Sequence, residues 1–156
     1  MSNLYNELLE LVIDDESKIK ICEIDFDSTL NEDNVTDVDL KKIGKCYIYV
    51  FTNEGESIPH FHVRSKDKKL NGDYKLDAAI CINYNKYFSH GNHKDTLTNA
   101  QQKQLNKKLD EVIDKDSDDK TTYWKKIQDI YYKAKPNSKE KRADTQPNYD
   151  NIDPYK

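Results

Sequence analysis

Only four histidines occur in this chain, and two stand one residue apart in Pro59-His60-Phe61-His62-Val63-Arg64. The run follows a segment containing Gly55 and alternates polar with apolar residues, the pattern of a short strand. Successive side chains of a strand point to opposite faces, so His60, His62 and Arg64 share one face and Phe61 and Val63 the other. Imidazoles two residues apart lie about 6–7 Å from each other at the backbone, near enough to share one cation or one anion. The remaining pair, His90 and His93, falls in a polar stretch over 85–95. Brought back over the strand, His60, His62, His90 and His93 make a ligand set for a divalent metal such as zinc, with Asp67, Asp73 or Asp95 as oxygen donors. The rival expectation is a solvated sheet face, with the loop histidines unrelated to it. Arg64 is always charged and adds an anion-binding group to the same face.

Other patterns are weaker. Gly55 followed by His60 and His62 echoes the first metal motif of cupin barrels. The glutamate due next is missing, however, and a barrel needs more strands. A histidine-triad hydrolase needs a histidine where Arg64 stands, and arginine neither attacks nor takes up a proton. Asp25-Phe26-Asp27-Ser28-Thr29 matches the nucleophile loop of haloacid-dehalogenase-like phosphatases, and Gly72-Asp73 with Asp77 imitates their metal motif. Those enzymes place the loop after a buried parallel strand, whereas Glu23 interrupts the strand here.

The elements that hold these residues follow from periodicity. Leu4, Leu8 and Leu11 predict a short helix over 3–13. A strand over 18–26 comes next, then an acidic loop, 27–39, with little apolar content. Cys46 to Phe51 are apolar on both faces, so 45–52 is a central strand, joined by the turn 53–57 to the histidine strand in a hairpin. Asn71-Gly72 marks a turn, and Ala78, Ile80 and Ile82 a strand over 75–84. Thr98 and Gln101 form a capping box ahead of a helix with the stripe Leu105, Leu109, Val112 and Ile113. A second helix carries Tyr123, Ile127, Ile130, Tyr131 and Ala134, with Trp124 beside them, and Pro136 limits it. Residues 137–156 are a polar, extended tail with Pro147, Tyr149, Ile152 and Tyr155 as anchors. The expected fold is α+β: a small, mostly antiparallel sheet with helices on one face. It makes one domain over 1–136, with an acidic segment 1–44 and a core 45–136.

Composition bounds the function. Of the 156 residues 35% are hydrophobic and 35% charged, so the core is small. Eleven tyrosines offset this, because each buries a ring while its hydroxyl stays wet. A net charge of −4 argues against nucleic acid as a direct ligand. Residues 1–40 carry twelve acids against two lysines, and the remainder seventeen acids against twenty-three bases. That front segment, through Asp33, Asp37 and Asp39, is suited to a partner protein with a basic surface. Cys22, Cys46 and Cys81 have no Cys-x-x-Cys spacing and read as buried free thiols of a reducing cytosol. Neither a signal peptide nor a membrane span is predicted. Abundant lysine and asparagine with only two arginines point to an AT-rich genome, as in low-GC bacteria and their phages.

The aromatic strand, the Pro59-His60-Phe61-His62-Val63 run and the two later helices with Trp124 resemble a small bacterial family, domain of unknown function 4160. The resemblance spans roughly 45–136. The stretch with His90 and His93 is longer than the family's pattern. The resemblance implies a small accessory protein, often in toxin–antitoxin-like gene neighbourhoods, with no established activity. The expectation is a cytoplasmic, non-catalytic binding protein, mobile-element- or phage-borne. A metal-dependent hydrolase or nuclease centred on His60 and His62 is the alternative.

Overall fold

Tyr47, Tyr49 and Phe51 alternate with Cys46, Ile48 and Val50, and this double-sided run forms the sheet's inner strand β2 (Lys45–Phe51). The computed structural model describes residues 18–26, 43–52, 58–88 and 95–154. The N-terminal helix expected over 3–13, the acidic loop 27–39, the turn 53–57, and His90 and His93 lie outside these residues. Around β2 stand β1 (Lys18–Asp25), β3 (His60–Ser65) and β4 (Asp77–Cys81). All neighbours are antiparallel, in the order β1-β2-β3-β4. The fold is α+β, as the periodicities predict. Among the described residues β1 pairs only with β2 and antiparallel, unlike the buried parallel strand that a phosphatase nucleophile loop requires.

The sheet's inner face carries Ile24, Cys46, Ile48, Val50, Phe61, Val63, Ala78 and Ile80, all buried. α1 (Asn99–Leu109) and α2 (Tyr123–Ala134) add Leu105, Leu109, Trp124, Ile127 and Tyr131 to the same cluster. The start of α1 is fixed by chemistry: the Thr98 hydroxyl accepts from the Gln101 amide, and the Gln101 side chain accepts from the Thr98 amide. These two bonds satisfy amides that the first turn leaves open.

The predicted stripe overran the helix end. Val112 and Ile113 fall beyond the α1 cap at Asp110, because 111–113 pair with 121–123 through Ile113 N–H to Thr121 C=O (2.9 Å) and Tyr123 N–H to Glu111 C=O (3.1 Å). α2 buries Gln128 along with its apolar stripe. The amide of Gln128 donates to Asn83 Oδ1 at 3.0 Å and to the Ala143 carbonyl at 3.1 Å. The tail joins the core through Tyr149 and Ile152. Tyr149 is fully buried, edge-on to Phe61 at 5.7 Å, with its hydroxyl 2.8 and 2.9 Å from the carbonyls of Cys81 and Ile82. Trp124 Nε1 donates to the Ile82 carbonyl as well, at 2.8 Å. β4, α2 and the tail are thereby tied at one point. No helix among the described residues is long and apolar enough to cross a membrane.

Candidate functional site on the outer face of the sheet

Alternation in β3 turns Phe61 and Val63 toward the helices, so His60, His62 and Arg64 lie on the other face. Antiparallel register then sets their neighbours. His62 stands between Tyr49 and Ala79, Arg64 between Tyr47 and Asp77, and His60 beside Cys81. Opposed residues share a face, so the outer face carries Tyr47, Tyr49 and Phe51 on β2, the two histidines and Arg64 on β3, and Asp77 and Ala79 on β4.

One sequence expectation needs correction. A solvated face would leave the histidines wet, yet His60, His62 and Arg64 are 3%, 0% and 2% exposed. Rings account for much of this. His62 stacks on Phe51 with centroids 4.1 Å apart, and His60 stacks on Phe88 at 4.2 Å. The two imidazoles meet edge to face at 5.0 Å. His60 Nδ1 is 2.7 Å from the Ile58 carbonyl. A carbonyl only accepts, so that nitrogen is the donor of the pair.

Arg64 is held by charge and by rings. Its Nε lies 3.3 Å from Asp77 Oδ2, and its guanidinium carbon lies 4.5 Å from the Tyr74 centroid and 5.1 Å from that of Phe51. A planar cation stacked this way keeps favourable electrostatics after losing water. Asp77 is itself fixed, since its backbone N–H donates to Asp95 Oδ2 at 2.8 Å. His62 Nδ1 is 4.0 Å from Asp77 Oδ1, beyond direct hydrogen-bond reach.

Toward β1 the face changes character. Tyr47 and Tyr49 are half-buried, and their rings meet at 5.9 Å and 70°. Lys20 Nζ lies 4.4 Å from the Tyr47 centroid and Lys18 Nζ 5.1 Å from that of Tyr49. This part of the face offers aromatic area and cations to solvent. A cavity of about 580 Å³ borders the opposite end of the face, and Ile58, Cys81 and Phe88 in its lining also neighbour His60.

Of the metal set expected from sequence, the structure brings His60 and His62 together, while His90 and His93 are outside the described residues. Among the described residues no three His, Cys, Asp or Glu side chains are grouped to hold a metal ion. Asp95 does reach the site, though through the Asp77 backbone. Asp73 instead closes its own turn with Asn71, where Gly72 has φ of +92°. Asp33, Asp37 and Asp39 also fall outside. Burial pushes the thiols of Cys22 and Cys81 up to about 12, so neither is a thiolate near neutrality.

Sequence reasoning missed Phe51, Tyr74, Asp77 and Phe88 as partners of the histidine row. A signal for Phe51 and Asp77 was present, because an antiparallel sheet with β3 inside places β2 and β4 residues beside each histidine. The chain matches no family model, no curated protein and no solved structure.

Proposed function

We propose that this chain acts by binding a partner protein, without a reaction of its own, and that the solvent side of β1 and β2 is its recognition surface. One observation carries the reading: the division of the outer face. The residues with acid–base or ligand chemistry, His60, His62 and Arg64, are buried and stacked on rings. Those suited to contact, Tyr47 and Tyr49 with Lys18 and Lys20 over them, reach solvent. Tyrosine gives large contact area at low entropic cost, and lysine stems laid on the rings widen the apolar patch. The acidic stretch through Asp33, Asp37 and Asp39 follows β1 in sequence and supplies charge complementary to a basic partner, steering its approach.

The test pairs two sets of variants. Tyr47→Ala combined with Tyr49→Ala is expected to weaken binding of a partner retrieved from the native host by tenfold or more, as loss of interface aromatics does. Asp33→Asn, Asp37→Asn and Asp39→Asn together are expected to slow association most at low salt. His62→Phe is expected to leave partner binding unchanged. Phosphodiester or peptide hydrolysis by the purified protein with zinc, abolished by His62→Phe, would overturn the reading in favour of a metal-dependent hydrolase.

A further inference from the structure

We propose that the chain pairs with a second copy of itself along the outer edge of β1. The inference stands apart from the partner reading above and rests on three observations. β1 is the terminal strand of the sheet among the described residues. An edge strand offers a row of backbone N–H and C=O groups, and monomers blunt it with proline, short length, lysines, inward-pointing charges or a bulge. β1 carries two lysines and a bulge, and the self-pairing gives both a place. β1 runs for eight residues, contains neither proline nor glycine, and leaves Ile19 37% exposed.

The second observation is the sequence itself. Lys18-Ile19-Lys20-Ile21-Cys22-Glu23-Ile24-Asp25 complements its own reverse. Laid antiparallel about a two-fold axis between Ile21 and Cys22, Lys18 faces the partner's Asp25 and Ile19 the partner's Ile24. Lys20 faces the partner's Glu23, and Ile21 the partner's Cys22. Every pair is then opposite in charge or apolar on both sides, and the symmetry supplies each pair twice.

The third is the bulge. In a regular strand Lys20 and Glu23, three residues apart, would point to opposite faces, and a two-fold axis normal to the sheet would not bring them opposite each other. The register with β2 shifts between Lys20 and Cys22, so Lys18, Lys20, Glu23 and Asp25 stand opposite Phe51, Tyr49, Tyr47 and Lys45. All four charged residues thereby share the outer face. The extra residue sits at the proposed axis, where the two copies' insertions offset each other and preserve the register. At the Asp25 end α1 comes alongside, with Gln104 Nε2 donating to the Asp25 carbonyl at 2.7 Å. The ladder is therefore centred on 19–24, with the Lys18–Asp25 pairs at its rim. Pairing would join two outer faces into one eight-stranded surface and present the Tyr47–Tyr49 patch twice.

A single pair of strands buries less than about 1,200 Å², the class of weak contacts, so the dimer is expected to dissociate at tens to hundreds of micromolar. Sedimentation velocity from about 10 μM to 1 mM on the full chain tests it. Wild type is expected to move from monomer to dimer across that range. Lys20→Glu or Glu23→Lys alone places like charges opposite each other at both symmetry-related sites and should weaken association about tenfold or more. An equimolar mixture of the two variants should recover wild-type association. In that heterodimer the introduced glutamate meets the introduced lysine and the native pair is kept. Both side chains are exposed, and thermal melts of each variant check that the fold is intact. A wild-type chain monomeric at 1 mM, single variants that associate like wild type, or a mixture no tighter than its components would each overturn the proposal.

Discussion

The two faces of this sheet are closed by different physics. The inner face buries branched aliphatics and Phe61 against two helices, and its stability comes from apolar area and close packing. The outer face buries two imidazoles and a guanidinium, whose loss of hydration on entry is offset by ring stacking and the Asp77 carboxylate. A face of the first kind loses stability in proportion to the apolar volume removed. A face of the second kind depends on partners, so removing one group leaves another in a poor environment.

The largest effect should come from the inner face. Phe61→Ala removes a fully buried ring packed on Tyr149 and should cost about 3–5 kcal/mol, read from the denaturant midpoint. A midpoint equal to wild type would remove Phe61 from the core. On the outer face, Asp77→Ala takes away the carboxylate beside Arg64 and should cost about 1–3 kcal/mol. Arg64→Met made in the Asp77→Ala background should recover part of that, because a flexible apolar side chain replaces the desolvated cation. A double variant less stable than Asp77→Ala alone would show that the guanidinium is held mainly by other groups.

Alkali separates the faces through their thiols, since Cys22 pairs with Ile48 on the inner side and Cys81 stands beside His60 on the outer. Each thiol is raised from its ordinary 9.0 to about 12, chiefly by burial. A raised value in the folded state means the neutral thiol stabilises the fold fully below pH 9, and the contribution is lost as pH climbs toward 12. Stability should fall between pH 9 and 10 by on the order of 1 kcal/mol per thiol. Cys22→Ser or Cys81→Ser should flatten that slope, and an unchanged slope would place the cause elsewhere. The smallest effect belongs to the solvent side of β1 and β2. Tyr47→Ala breaks an exposed cation–ring contact and should change stability by less than about 1 kcal/mol. A larger loss in a urea titration would move Tyr47 into the core.

The sheet was legible because strand alternation is a local signal. His60 to Arg64 declare their faces without reference to any other segment, and Thr98 with Gln101 declares a helix start. The end of α1 was less legible, since Val112 and Ile113 keep the helical period while the 110–122 turn pairs back on itself. Gln128 was unreadable as a core member, and Tyr149, legible as an anchor of the tail, could not be given its partners, for another reason. Their burial depends on Asn83, Ala143 and the carbonyls after β4, groups 15 or more residues away. The histidine row is legible in the sequence, but its burial is not. Polar residues alternating with apolar ones usually mark a wet face, and here Phe51 and Phe88 turn that face dry.

The proposed reading rests on His62 acting as a packed ring, with metal ligation and base catalysis as its rivals. Thermal melts of wild type and His62→Phe, each in zinc and in EDTA, test it most directly. The account predicts curves for each protein that coincide in zinc and EDTA, with His62→Phe within a few degrees of wild type because the ring on Phe51 is kept. A zinc site occupied at one hundred times its dissociation constant would stabilise by about 2.7 kcal/mol. Wild type melting about 5–10 °C higher in zinc, with that rise absent from His62→Phe, would contradict the account.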